Sequence, residues 1–216
     1  MIKINNILLS LAVMVLLMQN YGEALTYVNM VPYLNPTCSG ESSGLGYSWV
    51  VGQCLGFKGN NFVVSLDSHN VSTIAIYQGK DEQCSGAQQG SRTFSNGGCY
   101  QVNYQNTEQW YYNGWVKIEV VEDPTNTIIY GYRETVYAST DDHCQDDYQM
   151  YFYYTNNSVF KYSNDNYYVF YCQPDTYTPF EIDCENGPTS CFTTPNNSPC
   201  GKNYNNWWRN YQVQSC

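Results

Sequence analysis

Ten cysteines constrain this chain more than any other feature: Cys38, Cys54, Cys84, Cys99, Cys144, Cys172, Cys184, Cys191, Cys200 and Cys216. No Cys-x-x-Cys pair occurs, and only His69 and His143 are present to help a thiolate metal site, so zinc binding is disfavoured and no metal ligand set is assigned. An even set of widely spaced cysteines reads instead as five disulfides, which persist only in an oxidising compartment.

The amino-terminal residues agree with that compartment. Lys3 is the one charged side chain before an apolar run from Ile7 to Met18, and Gly22-Glu23-Ala24 places small residues at both recognition positions of a cleavage site. This pattern predicts a signal peptide over residues 1–24. The run is shorter than the roughly 20 apolar residues that a spanning helix needs. No later run is long enough to span a bilayer, and the polar, aromatic stretch Asn206–Cys216 is unlike a lipid-anchor tail. Three glycosylation sequons begin at Asn70, Asn156 and Asn196, the last weakened by Pro199. The expected product is a secreted glycoprotein.

Charge narrows the partners. Nine Lys and Arg stand against nineteen Asp and Glu, a formal net charge of −10. Nucleic acids and anionic membranes demand a basic face, so neither is an expected partner.

Aromatic residues make up 17% of the chain, and 23 of them are tyrosine. Apolar and polar residues alternate with period two in short windows separated by Gly, Asn, Asp and Pro, the pattern of half-buried strands. Strands are expected over Leu25–Tyr33, Asn61–Leu66, Ser72–Gln78, Cys99–Tyr104, Gly114–Glu122, Thr127–Tyr137, Gln149–Thr155, Val159–Tyr162 and Tyr167–Cys172. No amphipathic helix is expected after the leader. The predicted fold is all-β, an antiparallel sandwich or meander with disulfide-closed loops. Residues 25–172 form its β-rich body. Residues 173–216, which hold five prolines and few strand-like runs, read as a disulfide-clamped tail packed on that body.

A weak repeat runs through the body. Cys38-Ser39-Gly40 is followed after 16 positions by Cys54 in Gly52-Gln53-Cys54; Cys84-Ser85-Gly86 is followed after 15 by Cys99 in Gly97-Gly98-Cys99. Cys144 is the candidate start of a third copy, with the same spacing from Tyr137 as Cys84 has from Tyr77. The local reading pairs Cys38 with Cys54 and Cys84 with Cys99, each bridge closing a loop of ~15 residues worth about 3 kcal/mol. Cys144 with Cys172 is the next expectation, leaving the last four cysteines to pair among themselves.

Three features are candidates for function. Alternation puts Met150, Phe152 and Tyr154 on one sheet face and Tyr151 and Tyr153 on the other. The second face is either covered or an exposed platform for sugar rings or a protein partner. The segment Trp110-Tyr111-Tyr112-Asn113-Gly114-Trp115 reads as an aromatic turn into a strand, with rings either offered to a ligand or folded over the core edge. The run Asp141-Asp142-His143-Cys144-Gln145-Asp146-Asp147 is rich in oxygen ligands but lacks EF-hand spacing, so it reads as a solvated acidic loop before a Ca²⁺ site.

Signs of catalysis are few. No cofactor motif is found, and no catalytic residue is assigned. Glycosidase chemistry needs only two carboxylates, and Glu119, Glu134 and Glu181 are available, but sequence does not pair them across strands. The Asn- and Tyr-rich composition and the Cys-Ser-Gly…Gly-x-Cys units resemble small exported proteins of social amoebae. That resemblance implies an extracellular or cell-surface setting and no particular activity. The expected function is structural, adhesive or binding, toward a carbohydrate or an extracellular protein. The alternative is a secreted β-sandwich hydrolase or hydrolase inhibitor.

Overall fold

The computed structural model describes residues 25–57, 59–81, 83–102, 114–122, 131–161, 166–202 and 210–216. The described elements are all β-strands, paired antiparallel. Four times over, the chain lays down the same series: a strand, a loop, a strand, a turn, then a second pair of strands. Unit 1 holds β1 (Tyr27–Tyr33), β2 (Leu45–Val50), β3 (Cys54–Phe57) and β4 (Asn60–Leu66). Unit 2 holds β5 (Val71–Gln78), β6 (Gly90–Ser95), β7 (Cys99–Val102) and β8 (Gly114–Val121). Unit 3 holds β9 (Gly131–Tyr137), β10 (Met150–Thr155), β11 (Ser158–Lys161) and β12 (Tyr167–Gln173). Unit 4 holds β13 (Thr178–Cys184), β14 (Cys191–Pro195), β15 (Gly201–Lys202) and β16 (Tyr211–Ser215). Within every unit the first strand pairs with the second and the third with the fourth.

Units exchange partners in twos. The fourth strand of unit 1 pairs with the first of unit 2, and the fourth of unit 2 returns to the first of unit 1. Units 3 and 4 repeat the exchange through β12 with β13 and β16 with β9. Each group of four strands therefore takes the order third, fourth, first, second. Two such groups stand alone as β3-β4-β5-β6 and β11-β12-β13-β14. The other two join where β2 pairs with β10, giving the eight-stranded order β15-β16-β9-β10-β2-β1-β8-β7.

The period-two pattern explains the packing. Leu45, Tyr47 and Trp49 of β2 and Met150, Phe152 and Tyr154 of β10 share one face of the large sheet, and all are buried. In the first half Trp49 packs on Phe62, ring centroids 5.4 Å apart, and edge-on against Phe57 at 6.0 Å. In the second half Tyr154 stacks on Phe170 at 3.7 Å, and Tyr132 lies 5.1 Å from the same ring. These rings bury large apolar area, the dominant favourable term in folding.

The repeat seen in the sequence is a turn with a defined chemistry. After the first strands of units 1, 2 and 3, the amide of a cysteine donates to the carbonyl of an Asn or Asp three residues earlier. The pairs are Cys38 to Asn35, Cys84 to Asp81 and Cys144 to Asp141. Each cysteine has positive φ, 46°, 49° and 52° in turn. The Asx side chain caps the loop that follows. Asn35 accepts from the Ser39 amide, Asp81 from Ser85 and Gly86, and Asp141 from Gln145 and Asp146. The Gly86 and Ser85 amides hold the Asp81 carboxyl below its usual range. Burial pushes Asp141 up, but its four backbone amide donors outweigh that and leave it lowered. The candidate third copy at Cys144 is therefore a true copy of this turn. Within the acidic run it is Asp141 that is committed to the turn, since it also accepts from the His143 amide. Among the described residues no three His, Cys, Asp or Glu are placed to hold a metal ion.

One expectation is corrected, the pairing of the disulfides. All ten cysteines are bonded, but as Cys38–Cys99, Cys54–Cys84, Cys144–Cys200, Cys172–Cys216 and Cys184–Cys191. Neither Cys38–Cys54 nor Cys84–Cys99 nor Cys144–Cys172 forms, and of the last four cysteines only Cys184 and Cys191 pair together. The exchange of strands is the cause. Cys99 lies opposite Lys117, which lies opposite Val31 of β1, the strand that leads into the Cys38 turn. Cys54 lies opposite Val63, which faces Ala75 of β5, the strand that leads into the Cys84 turn. Each turn cysteine therefore meets the third strand of the partner unit rather than its own.

Residue 172 lies inside β12, and the segment beyond it supplies β13 to β16, which join the ladders of β12 and β9. Strand pairing groups units 1 and 2 and units 3 and 4, so the grouping changes between β8 and β9. Prolines did not exclude strands here because Pro179 sits near the start of β13, and Pro195 ends the edge strand β14.

The sequons fall in three settings. Asn70 is exposed in the turn between β4 and β5. The side-chain carbonyl of Asn156 accepts the Cys172 amide at 2.7 Å, and the Asn196 amide donates to Glu181 at 2.9 Å.

Candidate binding face

The face of the large sheet turned away from Trp49 carries Tyr27, Asn29, Val31 and Tyr33 on β1, Gly46 and Ser48 on β2, Tyr151 and Tyr153 on β10, and Trp115, Lys117 and Glu119 on β8. Its centre is closed. Tyr151 is 4% exposed and Tyr153 2%, and Asn29, Ser48 and Thr135 are buried with them. The expected tyrosine pair of β10 is therefore a covered layer and not a surface platform. Tyr148 packs against Tyr27 at 4.7 Å and Tyr151 at 5.2 Å. The Arg133 guanidinium lies 5.7 Å from the centre of the Tyr151 ring.

Tyr153 fits because its cross-strand neighbour is Gly46. A Cβ on Gly46 would fall 2.2 Å from Cζ of the Tyr153 ring, so the ring occupies the space a side chain would need. Among the described residues its buried hydroxyl has no hydrogen-bond partner. Burial, then the nearby Tyr151, Glu119 and Tyr33, pushes this phenol well above its usual range, so it stays neutral.

Toward β8 the same face opens. Trp115 lies directly across from Tyr33, and both are half-buried. One pleat along, the Lys117 ammonium donates to Glu119 at 2.9 Å, with the two side chains 38% and 37% exposed. That hydrogen bond, and the Glu119 charge behind it, raises the lysine further. An ion pair this open contributes at most about 1 kcal/mol to stability. What it offers is a donor and an acceptor beside two rings. The sequence reading identified Trp115 but missed Tyr33 and Lys117, although Trp115-Val116-Lys117-Ile118-Glu119 shows by simple alternation that three polar-tipped residues share a face. Trp110, Tyr111 and Tyr112 lie outside the described residues.

A second polar group lies between the sheets of the other half. Glu134 of β9 and Glu181 of β13 both influence the buried Tyr132 phenol, which burial, reinforced by their charges, raises far above its usual value. The Gln214 amide donates to the Tyr132 hydroxyl at 2.9 Å and to Glu134 at 3.4 Å. Burial raises the Glu181 carboxyl, with Asp183 adding to the effect and the Asn196 amide opposing it. Glu119, on β8 of the first half, is not part of this group. A carboxyl raised on folding adds stability while protonated and loses it as pH rises through the folded value. Glu181→Gln is therefore expected to flatten the fall in melting temperature above about pH 4.3, the usual glutamate midpoint. Melts of both proteins from pH 4 to pH 8 check this; parallel curves would contradict it.

With this geometry in hand, comparison with known proteins is decisive on one point. A family model described as counting factor-associated protein A/B/C matches residues 2–212. The chain belongs to this family. No curated protein and no solved structure gives a match. Membership of the counting factor-associated family accords with the resemblance to exported proteins of social amoebae. Ten paired cysteines accord with the oxidising setting that resemblance implies. Among the described residues no helix is long and apolar enough to cross a membrane.

Proposed function

We propose that this chain is secreted and works outside the cell as a binding protein, meeting a protein partner through the open strip Tyr33, Trp115, Lys117 and Glu119. The observation that carries this reading is the strip itself: two rings paired across strands beside a solvent-accessible ion pair, on a face whose centre is closed. Tyr and Trp offer rigid contact area at small entropic cost and recur among the residues that dominate interfaces. The family description, which names association with a counting factor, favours a protein as the partner. With a net charge of −10, the protein meets an acidic partner only against repulsion, so a neutral or basic surface fits best. The strip holds one carboxylate, whereas general acid–base hydrolysis needs a second facing it, so binding fits the geometry better than turnover.

The test is affinity capture from the medium of cells that secrete the protein, using immobilised wild type and Trp115→Ala, with a glycan array in parallel. Loss of a central aromatic anchor costs about 2 kcal/mol, roughly 30-fold in affinity. Wild type should retain a defined protein that the variant releases. Capture of the same proteins by both, or glycan binding in place of protein binding, would count against the proposal.

A further inference from the structure

We propose that β14 is a self-association edge, through which two copies of this chain pair antiparallel with Phe192 opposite Phe192. β14 is the end strand of its sheet and the one described strand whose every residue is exposed; Phe192 is 68% exposed. Its counterparts elsewhere differ. β2 and β10 are buried along their length, and β6 of unit 2 turns Phe94 into the core.

The backbone donors of β14 are arranged for a partner. The Glu185 amide donates to the Ser190 carbonyl and the Asn196 amide to the Pro179 carbonyl. With the antiparallel register of Cys184 opposite Cys191, this directs Phe192 and Thr194 toward β13 and leaves Cys191 and Thr193 facing outward. A twofold pairing centred on Phe192 joins Cys191 N–H to Thr193 C=O of the other copy, and Thr193 N–H to its Cys191 C=O. Repeated by symmetry, this makes four backbone hydrogen bonds and uses both outward donors of each chain. Pro195 lies just beyond and has no N–H to leave unpaired.

The chain already contains a junction of this kind. The second strands of units 1 and 3, β2 and β10, pair antiparallel with Tyr47 opposite Phe152, ring centroids 6.5 Å apart. Phe192 has the same inward parity on the second strand of unit 4, so the proposed contact repeats that junction between molecules. Charge selects a second copy as the occupant. Self-contact of a chain with net charge −10 is opposed almost everywhere, yet Cys191-Phe192-Thr193-Thr194-Pro195 carries no charge. Three of the other five edge strands carry charges that discourage such pairing, Arg92 on β6, Lys161 on β11 and Lys202 on β15; the uncharged ends β3 and β7 are instead partly buried.

Sedimentation velocity of the intact secreted protein over a concentration series tests this. Wild type should move from monomer to dimer as concentration rises. Thr193→Lys, which sets two ammonium groups against each other, and Phe192→Ser should each raise the dissociation constant at least about tenfold, a cost of 1.4 kcal/mol or more. Both should keep the wild-type melting temperature, because neither side chain is buried in the monomer. A wild type that stays monomeric throughout, or a dimer that both variants retain, would overturn the proposal.

Discussion

Replacing Gly46 by alanine is expected to destabilise this protein by about 3 kcal/mol or more, the upper range for forcing extra volume into a packed interior. The new methyl would lie 2.2 Å from the Tyr153 ring, far inside contact distance. Neither side can yield. Gly46 sits in β2, paired with Tyr153 of β10 and next to the Tyr47–Met30 pair with β1, so its backbone has little freedom to withdraw. Tyr153 is buried and cannot swing into solvent. Against a typical unfolding free energy of 5–15 kcal/mol, the loss is large enough to lower secreted yield as well as melting temperature. The cause is checked by a double-mutant cycle: Tyr153→Ala should relieve much of the cost of Gly46→Ala, because the ring is what the methyl strikes. Tyr153→Phe should be neutral or stabilising, since the hydroxyl it removes is buried without a partner among the described residues. A Gly46→Ala protein that melts with wild type would show that the ring does not lie where the structure puts it.

The second large effect concerns the crossed bridges. Cys38→Ser with Cys99→Ser removes one disulfide spanning 61 positions, worth roughly 4 kcal/mol on the chain-entropy model, and leaves no orphan thiol. Cys38→Ser with Cys54→Ser breaks two bridges and strands Cys84 and Cys99. The second variant should therefore melt lower than the first and show free thiols by chemical titration under denaturing conditions. Had the bridges closed within each unit, the outcomes would be reversed, so the pair of variants separates the two arrangements.

How far the sequence led follows from the same physics. Each strand expected from alternation overlaps an observed one, from β1 at Tyr27–Tyr33 to β12 at Tyr167–Gln173. Those that were missed carry weak patterns. Gly46 and Ser48 interrupt β2 on the face that Tyr153 covers, and β6 reads Gly-Ser-Arg-Thr-Phe-Ser, mostly polar because it is an edge. The prolines of the last unit hid β13 and β14. Two copies of the Cys-Ser-Gly turn were visible in the sequence. The third was obscured because Gln145 and Asp146 replace Ser-Gly, although Asp141 caps the loop as Asp81 does. Connectivity was not legible. Two cysteines in one unit are neighbours in sequence, but which strand lies beside which is decided by long-range pairing that local spacing does not record. The binding strip was half visible for the same reason: Trp115, Lys117 and Glu119 share a strand, whereas Tyr33 joins them only through the register of β1 with β8.

Non-reducing peptide mapping of the secreted protein by mass spectrometry bears most directly on the exchange of strands between units. Linked peptides joining Cys38 to Cys99 and Cys54 to Cys84 are the predicted result. Peptides joining Cys38 to Cys54 and Cys84 to Cys99 would mean that each unit closes on itself, and the paired-unit architecture would not hold.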